Sequence, residues 1–573
     1  MSSRVKKDKK QTSSIDFLPL HNKGTLEAVR ILRDIARESY GPFGKLNMVQ
    51  NTIGGHVTVT SSSNRLFQAI SVSDVIVKLI TTSLQGHVAT HGDAGLWGTI
   101  MAINLIEKSP IENTHPHLLV DIYEMLLQYS MDFLKSPECP AVLDIDISDM
   151  NTMRDVIRCV VNSKPACGLL EYEQDNICSI ILEAFLKSIP SSCDNSLKFF
   201  SVNFVSMEGL GANNMKLYDG VLLEAPSIPT YLKNPLSYLN LPVSEIPVAI
   251  VTTSMGGDSE DFLDIKYESG EQTDGHALVL DTILKGLANM VQSSVRVLIC
   301  QKVAHPRVKA YCTEQGVMLL DRLGISHMES LCQLTGARKI SSFSSYIDEG
   351  LYGSIDSANH LVMAGKSYVH LTRTQSGVTT VLLAGRREEA LNELKVVCDT
   401  ALRSLRQLLW QPKMLYGGGC WETILSAHIN YLISSKMSEL TEQLGCSRHQ
   451  LRQAAEAFTH SLHDIAMATS DTKLNHKLDM KYGHHWIAEN GNDDYASCMC
   501  GAITRDNALV FKMLGNLGIM DINSDTAPEK AIDIEDGRRM LLDNLPAHLG
   551  ALLMAVNTAS AILKIHCIVK DRN

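Results

Sequence analysis

The chain runs to 573 residues with a net charge of −11 and a pI near 6.0. That length excludes a single hydrophobic core and predicts about two or three domains. A hydrophobic content of 45% excludes global disorder. The acidic balance argues against nucleic acid as the main partner.

Up to about Leu20 the sequence is polar, and Lys6, Lys7, Lys9 and Lys10 read as a solvated tail in preference to a targeting or RNA-binding patch. Leu26, Val29, Ile31, Leu32 and Ile35 predict an amphipathic helix. It leads into Gly41-Pro42-Phe43-Gly44-Lys45-Leu46, a turn that can bring backbone N–H groups close to an anion. His56-Val57-Thr58-Val59-Thr60 predicts a strand, followed by Ser61-Ser62-Ser63. An apolar helical stretch reaches Gly92-Asp93-Ala94-Gly95, and another helix is predicted from Thr99 to Ile106. Glycines at such a helix start can place a phosphate on the positive end of the dipole. Helices continue to about Leu134, where Ser136-Pro137-Glu138-Cys139-Pro140 predicts a loop.

From Met153 the pattern is helical again and reaches Asn162-Ser163-Lys164. Lys164 is either phosphate-facing or a surface lysine. Between Tyr218 and about Thr374 short β-branched runs, Val248 to Thr252 and Val295 to Ile299, alternate with helical segments such as Leu278 to Val291. The stretch from about Gly256 to Gly275 is acidic and glycine-rich, either a reduced functional element or an ordinary variable loop. Gly417-Gly418-Gly419 lets a backbone pass close to a ligand, or else caps a helix. Leu549, Leu552, Leu553, Val556 and Leu563 predict a core helix. The run Leu549 to Leu563 carries Asn557, Thr558 and Ser560 and falls short of the roughly 20 residues that span a bilayer. Ala488 to Gly537 is polar and glycine-rich, with Cys498 and Cys500 near His484 and His485. That is not a usual zinc spacing, so surface loop or core packing is the expected reading there and a metal the alternative. No GxxxxGK[ST] P-loop occurs. Fourteen cysteines have no paired spacing, and no apolar secretory segment follows Met1, which implies reduced thiols in a cytosolic or nuclear compartment.

Read together, these motifs resemble group II chaperonins, the archaeal thermosome and eukaryotic CCT type. The family's LGPKGMDKM, TNDG and GDGTT read here YGPFGKLNM, TSSS and GDAGL. Its NSK recurs at Asn162–Lys164, its "vvitek" at Val297–Lys302 and its ATGAR at Thr335–Arg338. Its "tiLLrGg" recurs at Val381–Gly385 and its GGGxxE at Gly417–Glu422. The resemblance implies a multidomain α/β and α fold: a mostly helical equatorial domain (1–153 and 412–573), a small intermediate domain (154–218 and 375–411) and an α/β apical domain (219–374). It implies a nucleotide site at Gly41, Pro42, Gly44, Gly92, Asp93, Ala94, Gly95, Lys164 and Gly417–Gly419, with ATP and Mg²⁺ as weakly held ligands and Asp93 as the metal ligand. The family's catalytic positions are altered. Ser62 replaces the TNDG aspartate, Gly95 and Leu96 replace the GDGTT threonines, and Thr400 stands where an aspartate polarises the attacking water. Asp399 is about 100° around the helix and does not simply substitute. The final ILRIDD reads ILKIHC.

At finer grain NSKPAC, LICQKVAHP, LTGA, YGGGC and DMKYGH resemble the chaperonin-like Bardet–Biedl branch. That branch implies a factor with little or no ATP hydrolysis that helps fold or assemble the BBSome for ciliary traffic. The implied partners are other chaperonin-like Bardet–Biedl proteins, CCT/TRiC subunits and BBSome subunits, with no nucleic acid and no membrane insertion. The implied location is the cytoplasm and the centrosome or basal body, with the nucleus as a further compartment. The alternatives are an active ATP-dependent chaperonin subunit and a structural centrosomal adaptor.

Overall fold

A computed structural model describes residues 14–50, 57–164, 167–190, 199–224, 245–257, 275–343, 347–374, 376–470, 475–480, 483–488, 495–501 and 540–570. The lysine cluster of the tail, most of 256–275 and most of 488–537 lie outside them. The fold makes two compact units, one of residues 1–174 with 392–573 and one of 175–391. The chain therefore leaves the first unit and returns to it.

The first unit is mostly helical. Its centre is the helix Gly95–Lys108, in which every residue from Gly95 to Ile106 is buried. A helix that is apolar all round must be covered on every side. Here Lys23–Glu38, Val75–His91, Arg448–Ala468 and Leu545–Leu563 pack around it. These helices start where the sequence supplies caps. Asp74 accepts from the backbone of Ile76 and Val77 (2.9 and 3.1 Å), Ser447 and Gln450 form a reciprocal capping box, and Asn544 accepts from Ala547 (2.9 Å). The predicted N-terminal helix is Lys23–Glu38, but its buried stripe is Thr25, Val29, Leu32 and Ala36. Ile31 lies outside that stripe and is 53% exposed. The C-terminal helix runs Leu545–Leu563 and is the one helix among the described residues long and apolar enough to cross a membrane. Its apolarity is accounted for by burial in the core, except at Leu553, which faces out.

Short sheets finish this unit. Val57–Thr60 pairs antiparallel with Asn47–Gln50. Lys413–Tyr416 lies between Val142–Asp144 and Leu542–Asn544, antiparallel to both. Asn475–Asp479, His484–Ala488 and Tyr495–Cys498 make a three-stranded antiparallel sheet.

The second unit is α/β. Met318–Leu320, Val297–Cys300, Ile246–Val251 and Lys339–Ile340 form a parallel sheet in that order, with Gly353–Ile355 antiparallel on Ile246–Val251. Successive strand residues face opposite sides. Val248, Ile250, Val297 and Ile299 enter one core, while Ala249, Val251, Leu298 and Cys300 enter another. Burial on both faces explains why these strands read as unbroken apolar runs. Thr379–Gly385 pairs parallel with Val202–Glu208 and antiparallel with Lys216–Asp219 in a separate sheet.

Candidate functional site

The helical unit contains a cavity of about 120 Å³ at the N-terminus of the central helix. Of the residues expected at a nucleotide site, Gly41, Pro42, Gly92, Asp93, Ala94, Gly95, Lys164 and Gly418 line it, together with Ser62. Gly44, Gly417, Gly419 and Thr400 do not line it.

Each turn is held by identifiable contacts. The first closes through Gly44 N–H donating to the Gly41 carbonyl (3.1 Å), with Gly41 at φ +79° against Thr469. The three consecutive glycines are enforced by crowding. A Cβ on Gly418 would meet the backbone of Met499 at 2.8 Å, and one on Gly419 would meet Ala466 at 2.9 Å. At the helix start Ala94 sits in the left-handed region (φ +60°), and its N–H donates to Asp93 Oδ1 (2.7 Å). The anion nearest the dipole is thus the chain's own Asp93. Gly95 has no room for a side chain, since a Cβ there would lie 2.4 Å from Val88 Cγ2 and 2.7 Å from Ser63.

Lys164 is not a free surface lysine. Its Nζ donates to the Ser61 carbonyl (3.2 Å), and burial lowers its pKa while Asp93 and Glu393 oppose that shift. Ser62 shares a hydrogen bond with Thr60 Oγ1 (3.1 Å). The adjoining turn is pinned by Glu393, 1% exposed, whose Oε1 accepts from Ser61 N–H and Arg65 Nη1, both at 3.3 Å. Thr400 Oγ1 donates to the Gly92 carbonyl (3.2 Å). Asp399 is engaged by Arg403 Nε (2.9 Å), and Arg403 Nη1 reaches the Ala89 carbonyl (3.0 Å).

One wall of the cavity belongs to a polar and aromatic layer that the glycine motifs do not reveal. Trp97 and Trp421 stack (centroids 5.3 Å apart), with His548 edge-on to both. Trp97 Nε1 donates to Glu422 Oε1 (3.0 Å), and Trp421 Nε1 donates to Asp543 Oδ2 (3.2 Å). Burial, then the charge of Asp543, pushes the Glu422 carboxyl up to about 8. Asp543 is itself pushed up, first by burial and also by Asp93. Asp543 lines the cavity, and nothing in its local sequence marks it.

A scan of known families matches residues 32–573 to the TCP-1/cpn60 chaperonin family. The chain belongs to that family. It is 30% identical to the mouse molecular chaperone MKKS and 28% identical to the human one, in each case over 97% of both chains. It is 22% identical to the thermosome alpha subunit of Saccharolobus solfataricus over 78% of each.

The family's ligands fit this chaperonin chain poorly. Sites for organic ligands run to roughly 300–1,000 Å³, well above 120 Å³. Asp93 is spent on the Ala94 amide, and Asp543 is held by Trp421 and driven toward its neutral form, a poor donor set for a hard cation. Around the cavity the described residues are therefore a poor fit to ATP and Mg²⁺.

Proposed function

We propose that this chaperonin-family chain works as an assembly factor that acts by binding, with little or no ATP turnover. Its similarity to proteins named molecular chaperones supports the general role. The observation that carries the loss of turnover is Thr400. It occupies the family's water-polarising position and spends its hydroxyl on the Gly92 carbonyl, while neighbouring Asp399 is committed to Arg403. Loss of a general base alone costs about 10²–10⁴-fold, and a weakened metal site adds to it. Asp543 favours the rival reading of an active ATPase, because it brings a second carboxylate to the cavity of Asp93. Its raised pKa and its bond to Trp421 weigh against that.

In this reading the BBSome is the assembled product, and chaperonin-like Bardet–Biedl proteins and CCT/TRiC subunits are the co-workers, at the centrosome or basal body. The equatorial, intermediate and apical division belongs to the same proposal. Purified chain assayed beside an active chaperonin is expected to show turnover at least about 100-fold lower. Magnesium-dependent hydrolysis at the active chaperonin's rate, abolished by Asp93→Ala, would end the proposal.

A further inference from the structure

Cys420, His484, Cys498 and Cys500 are all buried, and their ligand atoms lie within 4.8 Å of one another. They come from three places: the first residue of the helix Cys420–Leu444, the start of the middle strand His484–Ala488, and the end of Tyr495–Cys498 with the turn beyond it. From this geometry we infer a closed, structural zinc site of three thiolates and one imidazole, independent of the cavity and of nucleotide.

Two residues spaced i, i+2 on an extended strand share one face but sit about 6.6 Å apart along it, farther than the ligands of one ion. Here the strand ends at Cys498 and turns, with Gly501 N–H donating to the Cys498 carbonyl (3.0 Å) and Gly501 at φ +73°. That turn shortens the separation and leaves the two sulfurs within 4.8 Å of each other. A tetrahedral zinc with Zn–S near 2.3 Å sets its sulfurs about 3.8 Å apart. Cys420 Sγ and Cys498 Sγ lie 3.2 Å apart, so small side-chain shifts suffice. The imidazole supplies the independent sign of a ligand. His484 is 3% exposed, and neither of its ring nitrogens has a hydrogen-bond partner. The neighbouring His485 has both ring nitrogens engaged: Nδ1–H donates to the Gly418 carbonyl (2.8 Å), and Nε2 pairs with Ser470 Oγ (3.2 Å).

Soft thiolates with one imidazole select zinc over magnesium or calcium, and four protein ligands leave no open position for chemistry. Tyr416 and Trp486 pack around the sulfurs and keep solvent from them. The ion would tie the three-stranded sheet to the first turn after Gly417–Gly419. It would also fix the link in which the Cys500 carbonyl accepts from Leu541 N–H (2.9 Å) and the Leu541 carbonyl accepts from Gly417 N–H (2.9 Å).

The test uses full-length chain purified under reducing conditions. Elemental mass spectrometry should find one zinc per chain, and cobalt exchange should produce the thiolate charge-transfer and visible bands of a tetrahedral site. Cys498→Ser/Cys500→Ser should lose the metal, while Cys567→Ser, at an exposed position, should keep it. Chelation should lower the melting temperature of the wild type and leave the double variant unmoved. If the double variant does not fold, the wild-type cobalt spectrum decides. Wild type that stays metal-free after zinc reconstitution, a Cys420–Cys498 disulfide in peptide mapping, or a double variant with full zinc would overturn the assignment.

Discussion

Glu422 offers the sharpest test of the layer that walls the cavity. The residue has no exposed surface, Oε1 accepts from Trp97, and Oε2 has no hydrogen-bond partner. Its folded pKa is about 8 against 4.5 for the unfolded group. Between those values the native chain holds a proton that the unfolded chain has released. The contribution of Glu422 to stability is therefore fully present below about pH 4.5 and falls as pH rises, by about 1.4 kcal/mol per unit, until about pH 8. Taken over the whole window this is about 5 kcal/mol, shared with Asp543, which is raised in the same direction. Glu422→Gln removes the titration and keeps an acceptor for Trp97. The four tryptophans all lie in the helical unit, so their fluorescence follows it alone. In urea titrations the variant should match wild type near pH 5 and exceed it by about 3 kcal/mol or more near pH 8. Identical pH profiles for the two proteins would refute the account of a neutral buried carboxyl.

Two further changes probe the same region. Gly95→Thr restores a residue of the active family but drives a Cβ into Val88 and Ser63, and should cost about 1–3 kcal/mol of stability without raising turnover; a thermal melt at or above wild type would contradict this packing. Arg65→Met strips the buried Glu393 of its guanidinium and should cost about 3–5 kcal/mol, most of it regained on adding Glu393→Gln. A double variant no better than the single one would show that the ion pair is not what fails.

Much of the fold could be read from periodicity. The helical runs around Val29, Ile103 and Leu552 and the strands at Val248 and Val297 lie where the spacing of apolar residues places them. Ile31 and Leu553 escaped it, because an apolar residue next to a stripe looks the same in sequence whether or not a neighbour covers it. The glycine turns were legible because a left-handed or crowded backbone admits few residue types. Asp543 and Trp97 were not legible at the cavity, nor Trp421 behind them, since their roles come from contacts that span 122 to 325 residues. Cys420 was missed as a candidate ligand for the same reason, lying 78 residues from Cys498.

Local order alone determined the family, the glycine turns and the substitutions Ser62 and Thr400, because each is written in adjacent residues whose type is dictated by backbone shape or charge. Only the folded chain decided that Asp93 binds the Ala94 amide, that Thr400 binds the Gly92 carbonyl, and that three cysteines and a histidine meet. Those are encounters between distant segments, fixed by how helices and sheets pack, and no local pattern encodes which side chains that packing will bring face to face.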